Sequence, residues 1–211
     1  KIWNGPITEE QATGAMETPN RLSFNGNCAT GGTAPSNILA NEGDDVTIPG
    51  NTGSLVKTGK HVAVWNTQEN GGGNDIAFGS TYSMPAEDEE LYAKWATNTY
   101  SVHFNANGGT GSMSNQSFTY GVAQDLTANG FTLNGYTFGG WATTADSAAQ
   151  YTDEQNVSNL SGENDAVVQL YAKWIPESYD ITYHLNSGTN SGSNPDTYTA
   201  GTPTITFAAA A

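Results

Sequence analysis

The segment Leu91-Tyr92-Ala93-Lys94-Trp95 returns unchanged at Leu170-Tyr171-Ala172-Lys173-Trp174, 79 residues later. A chain that repeats its sequence at a fixed period repeats its core at that period, so it reads as a tandem array of small domains rather than one large one. Other landmarks keep nearly the same spacing. Phe24, Phe104 and Tyr183 each sit inside an alternating segment, and Gly59 and Gly135 each precede a tryptophan, Trp65 and Trp141, by six residues. The chain therefore divides into a first repeat over 21–98, a second over 99–178 and the opening of a third over 179–207. Residues 1–20 do not follow the pattern and read as a linker or the tail of an upstream domain. The closing 208–211 reads as a tag scar or as unassigned residues. A unit of ~80 residues buries only somewhat over 60% of its unfolded surface, so each core is thin.

Within the second repeat, Val102, Phe104 and Ala106 alternate with Ser101, His103 and Asn105, which predicts a half-buried strand. The same phase places Leu22 and Phe24 inward in the first copy and Ile181, Tyr183 and Leu185 inward in the third. His103 and His184 fall on the outer face and do not read as ligands. Gly-rich polar stretches follow at 28–37, 108–116 and 187–196, and then a short second strand. Gly135 to Trp141 reads as a third strand, and Val168 to Trp174 as a closing one with Val168, Leu170, Ala172 and Trp174 on one face. Asp153 to Leu160 begins with acidic residues and spaces Val157 and Leu160 three apart, which predicts two helical turns. The expected class is thus β-rich α+β.

Trp65, Trp95, Trp141 and Trp174 occupy repeated positions. Burying one ring removes about 150–250 Å² from water, roughly 4–6 kcal/mol as an upper bound. With Phe24 and Phe104 they are the expected structural core, in preference to a sugar-stacking site.

Charge limits the partners. Twenty-one acidic residues against six basic ones give a net charge of -15. A phosphate backbone or an anionic membrane surface is repelled by such a field, so nucleic-acid binding is not expected. The sequence has no run of 18 apolar residues, so no membrane insertion is expected of this segment. Uniform acidity also favours a monomer. The single cysteine, Cys28, reads as a small loop residue, and no Cys/His cluster offers a metal site.

The run Gly-Tyr-Thr-Phe-Gly-Gly-Trp at 135–141, followed by Leu-Tyr-Ala-Lys-Trp at 170–174 and an Asn-Gly-Gly after the alternating strand, resembles the Listeria-Bacteroides repeat, also called the internalin B-repeat. The likeness is good over 99–178 and covers the opening of a copy at 179–207. Over 21–98 it holds at both ends but departs at Lys60-His61-Val62-Ala63-Val64. The resemblance implies β-grasp-like (ubiquitin-like) modules in an elongated array. It also implies an extracellular stalk or adhesin segment on a bacterial cell surface, with no catalytic residues to carry over.

Common catalytic signatures are absent: there is no Gly-x-Ser-x-Gly, His-Glu-x-x-His, P-loop or dinucleotide fingerprint. Asp44-Asp45 and Glu87 to Glu90 lack the alternating oxygen ligands of a calcium loop and read as solvated acidic surface. Lys94 and Lys173 suggest a Lys-to-Asn or Lys-to-Asp crosslink, but the strand phase turns both away from the core. Neither an enzyme nor a cofactor or metal is expected. The expected role is a non-catalytic stalk or spacer. The alternative is a module that binds a host-cell surface protein or glycan through its loops or through Tyr92 and Tyr171. The candidate ligand loop is Asn70-Gly71-Gly72-Gly73-Asn74, which the second repeat lacks.

Overall fold

A computed structural model describes residues 18–208, so most of the predicted 1–20 tail and the end of 208–211 lie outside it. The chain divides into two compact units between Asn98 and Thr99.

The first unit contains β1 (Asn20–Asn25), β2 (Ile38–Ala40), β3 (Asp45–Thr47), β4 (Lys60–Asn66), β5 (Asp75–Ile76), β6 (Thr81–Ser83) and β7 (Glu89–Thr97). Its main sheet runs in the order β2-β1-β7-β4-β5, and a separate ribbon joins β3 to β6. The entry and exit strands, β1 and β7, are parallel neighbours, with Phe24 beside Leu91. All other pairings are antiparallel.

The second unit repeats this plan. It contains β8 (Thr99–Asn105), β9 (Gln116–Thr119), β10 (Gln124–Asp125), β11 (Tyr136–Ala142), β12 (Asn156–Val157) and β13 (Ala166–Pro176), followed by β14 (Ser178–Asp180) and β15 (Thr197–Thr199). The sheet order is β11-β13-β8-β9, again with parallel entry and exit strands that set Phe104 beside Leu170. The β10–β12 ribbon takes the place of β3–β6.

In each unit one sheet face covers the core. Leu22, Trp65, Leu91 and Ala93 are fully buried in the first, and Val102, Trp141, Leu170 and Ala172 in the second. The aromatic pairs share one geometry: Phe24 and Trp65 lie 4.9 Å apart at 58°, Phe104 and Trp141 4.8 Å apart at 54°. Both tryptophan strands carry a bulge just before the ring, between Val62 and Val64 and between Phe138 and Gly140. The extra residue resets the alternation. Val62 and Trp65, three apart, consequently both point inward.

Trp95 and Trp174 are only half-buried. They close the end of the sheet, donating indole N–H bonds to loop carbonyls: Trp95 to Asn27 at 2.9 Å and Trp174 to Ala106 at 2.9 Å.

Two expectations are corrected. Among the described residues every regular element is a strand, so the class is all-β and not α+β. The predicted helix at Asp153 to Leu160 fails because Glu154 and Asn159 adopt φ of 51° and 55°, a left-handed backbone incompatible with a right-handed helix. Val157 is instead buried as part of β12. In the third copy, Ile181 to Leu185 forms no regular strand.

The opening of the third copy carries an equivalent aromatic pair. Tyr100 and Phe118 stack at 5.3 Å in the second repeat and are buried, whereas their counterparts Tyr179 and Tyr198 stack at 5.2 Å but remain 37% and 40% exposed.

Candidate functional site

The loop Asn70 to Asn74 lies in the hairpin between β4 and β5 of the first repeat. Its geometry is dictated by Asn66, the last residue of β4, which is fully buried. The Asn66 amide donates to the carbonyl of Gly73 at 3.1 Å and to Asp75 Oδ1 at 2.5 Å, with a longer contact of 3.4 Å to the Gly71 carbonyl. Its oxygen accepts from the backbone N–H groups of Gln68 at 2.9 Å and Gly73 at 3.1 Å. A buried amide with both ends satisfied is a strong local organiser, since leaving any of these groups unpaired is costly.

The loop winds tightly around this side chain. A Cβ at Gly73 would lie 2.3 Å from Thr67 Oγ1, so only glycine fits there. Thr67 Oγ1 itself accepts from Asn74 N–H at 2.9 Å, and Asn70 Oδ1 accepts from Gly72 N–H at 2.9 Å. Asn27 anchors the outside by donating to the Glu69 carbonyl at 2.9 Å. The loop backbone is largely spent on internal bonds, and what it offers outward is a set of amide and carboxylate side chains.

Lys94 sits beneath the loop, its stem 3.6 Å from a Cβ built on Gly71. Its Nζ reaches both Asp75 oxygens at 2.8 Å. The hydrogen bond from Lys94, with a second from Asn66, holds the Asp75 carboxyl below the usual carboxylate range. Both side chains are substantially exposed. Lys94 and Asp75 thus form a solvated ion pair on the sheet surface. In the second repeat Lys173 donates instead to the Ala145 carbonyl at 2.8 Å, and Ala142 stands where Asn66 does.

The other candidates are engaged in the fold. Asp44 Oδ2 accepts from Asn41 N–H at 2.9 Å. Asp88 bonds the Arg21 backbone N–H and pairs with its guanidinium at 3.3 Å. Glu89 accepts from the Tyr82 hydroxyl at 2.7 Å, and burial together with that bond pushes the Tyr82 pKa up to about 12. His103 bonds Asn115 at 2.8 Å. Cys28 is exposed at φ 63°. Tyr92 and Tyr171 lie half-buried on the outer sheet faces. Among the described residues no three His, Cys, Asp or Glu side chains converge as metal ligands. Also among the described residues, no helix is long and apolar enough to cross a membrane.

Sequence reasoning missed Asn66 as the organiser of its loop. The available signal was a polar residue directly after the core tryptophan where the second copy has alanine.

Two successive repeats, each a main sheet with a small ribbon and each threaded from a first strand to a parallel closing strand around a buried tryptophan, define a tandem β-repeat protein. The chain belongs to the Listeria-Bacteroides repeat family, whose sequence profile matches residues 21–94 and 100–173. It is 32% identical over 174 residues to a protein of Evansella cellulosilytica described as "Putative Gly-rich membrane protein", covering 79% of this chain and 18% of that one. A second Evansella cellulosilytica protein, "Putative membrane protein", is 34% identical over 77 residues, 36% of this chain and 11% of its own length. The chain therefore spans less than a fifth of the length of these relatives.

Proposed function

We propose that these repeats are non-catalytic, load-bearing spacers in the extracellular part of a bacterial surface protein, monomeric and without a cofactor. The observation that carries the reading is the parallel pairing of entry and exit strands in both repeats, β1 with β7 and β8 with β13. Tension enters at the start of the first strand and leaves at the end of the last. It therefore loads that ladder in shear, and the evenly spaced bonds of a parallel pair must yield together instead of one at a time. The same pairing supports a β-grasp-like reading of each unit, here without the helix. Names of the relatives containing "membrane protein" fit a protein displayed at the envelope. Single-molecule pulling through the chain ends tests the reading. Each repeat is expected to rupture in one abrupt step, and gradual unzipping at low force would overturn it.

The adhesin reading has one specific support: the hairpin built on Asn66 holds Asn70 and Asn74 in fixed geometry and is absent from the second repeat. Saturable binding to cell surfaces, matrix proteins or a glycan array, lost on deleting 70–74, would establish it.

A further inference from the structure

Asn-Gly is the dipeptide most prone to spontaneous deamidation, because glycine leaves the following amide nitrogen free to approach the side-chain carbonyl. Five such pairs occur among the described residues, at Asn25, Asn70, Asn107, Asn129 and Asn134. Four are restrained. Asn107 donates its amide to the carbonyls of Ala172 at 2.9 Å and Ala145 at 3.2 Å. Asn129 is held at both ends by the Phe131 backbone, at 2.9 and 3.0 Å, and the Gly130 N–H contacts the Met113 sulfur. Asn25 accepts from Asn27 N–H at 2.9 Å. Asn70 accepts from Gly72 N–H at 2.9 Å, and the Gly71 N–H is bonded to Gln68.

Asn134 differs. It is exposed, at the corner of the turn Leu133 to Tyr136 that leads into β11. Neither its side chain nor the N–H of Gly135 has a hydrogen-bond partner among the described residues. We propose that Asn134 is a spontaneous modification site that ages the second repeat selectively.

Water is the only co-reactant needed. The Gly135 backbone nitrogen attacks Asn134 Cγ, a C–N bond closes a five-membered succinimide, and the side-chain nitrogen leaves as ammonia, carrying the proton of the attacking N–H. Water then opens the ring at either carbonyl, giving aspartate or isoaspartate. The isoaspartyl product inserts a methylene into the backbone immediately before Gly135. That residue matters because its carbonyl accepts from the N–H of Glu177 at 2.8 Å, and Ala200 packs against it so closely that an added Cβ would lie 2.9 Å away. The equivalent turn of the first repeat, Lys57 to Lys60, makes the corresponding bond from Asn98 N–H to the Gly59 carbonyl at 2.9 Å. It carries Thr58 where Asn134 stands, and so has no site of this kind.

The experiment incubates the whole folded chain at mildly alkaline pH and 37 °C and follows each Asn-Gly peptide by mass spectrometry. Isoaspartate is counted by enzymatic methylation. Conversion at Asn134 is expected to run about tenfold or more ahead of Asn25, Asn70, Asn107 and Asn129, since breaking one or two restraining hydrogen bonds costs that factor. It should be abolished by Asn134→Thr, which supplies the first repeat's own residue. Hydrogen exchange at Glu177 should rise as isoaspartate accumulates. Conversion of Asn25, Asn70, Asn107 or Asn129 as fast as Asn134 in the folded chain, or an unmodified Asn134 after the others have converted, would overturn the proposal.

Discussion

Trp65 and Trp141 occupy equivalent positions, are both fully buried and meet equivalent phenylalanines, Phe24 and Phe104, at 4.9 and 4.8 Å, yet their indole nitrogens fare differently. Trp65 donates to the Pro49 carbonyl at 2.8 Å. Trp141 Nε1 is buried and has no hydrogen-bond partner among the described residues. Packing is thus the shared requirement of the repeat, and polar satisfaction is adjustable around it. The difference extends along the chain. Both tryptophans are bridged across a hairpin, Trp65 to Ile76 and Trp141 to Tyr151, but the first repeat follows its ring with buried Asn66 and a loop wound on it, while the second follows with buried Ala142.

The comparison breaks first at the rings. Trp65→Ala and Trp141→Ala should each cost about 3–5 kcal/mol and unfold their own repeat, visible by hydrogen exchange resolved between the two. Unequal losses would show that the shared packing is not the common requirement. Asn66→Ala comes next, costing about 1–3 kcal/mol because several loop N–H and C=O groups lose their partner together, with exchange rising over 67–74. Replacement by phenylalanine isolates the polar term. Trp65→Phe strands the Pro49 carbonyl, whereas Trp141→Phe removes a donor that had no acceptor. The first should therefore be the costlier by ~1–2 kcal/mol in denaturant unfolding.

Cys28→Gly is expected to stabilise the first repeat by about 0.5–1 kcal/mol. Cys28 sits at φ 63° where the second repeat places Gly108 at 92°, and that backbone disfavours any side chain. The smallest effect is alkaline. Burial and the bond to Glu89 hold the Tyr82 hydroxyl protonated up to about 12, above its ordinary value near ~10. Its contribution is present below pH ~10 and is lost as the pH climbs toward 12. Tyr82→Phe should flatten that alkaline slope in the first repeat and leave the second unchanged.

Much of the fold was legible because alternation survives wherever a strand is straight: Val102 with Phe104 and Leu170 with Ala172 fall inward as their spacing predicts. Legibility failed where the backbone leaves that rhythm. The bulge at Ala63 puts Val62 and Trp65 on one face at a spacing that looks helical. Val157 and Leu160 gave the same false period, which the left-handed Glu154 and Asn159 prevent from becoming a helix. The loop was singled out by its glycines, but its organiser was not, because Asn66 gains its role only when the hairpin brings Gly71, Gly73 and Asp75 around it.

The parallel pairing of first and last strands also sets an order of events in time. Leu22 cannot find Glu89, nor Val102 find Val168, until nearly the whole repeat has been made, and contacts so distant in sequence slow folding. A repeat emerging from a ribosome stays open until its closing Leu-Tyr-Ala-Lys-Trp arrives. Each unit consequently commits to its folded form only at its final strand.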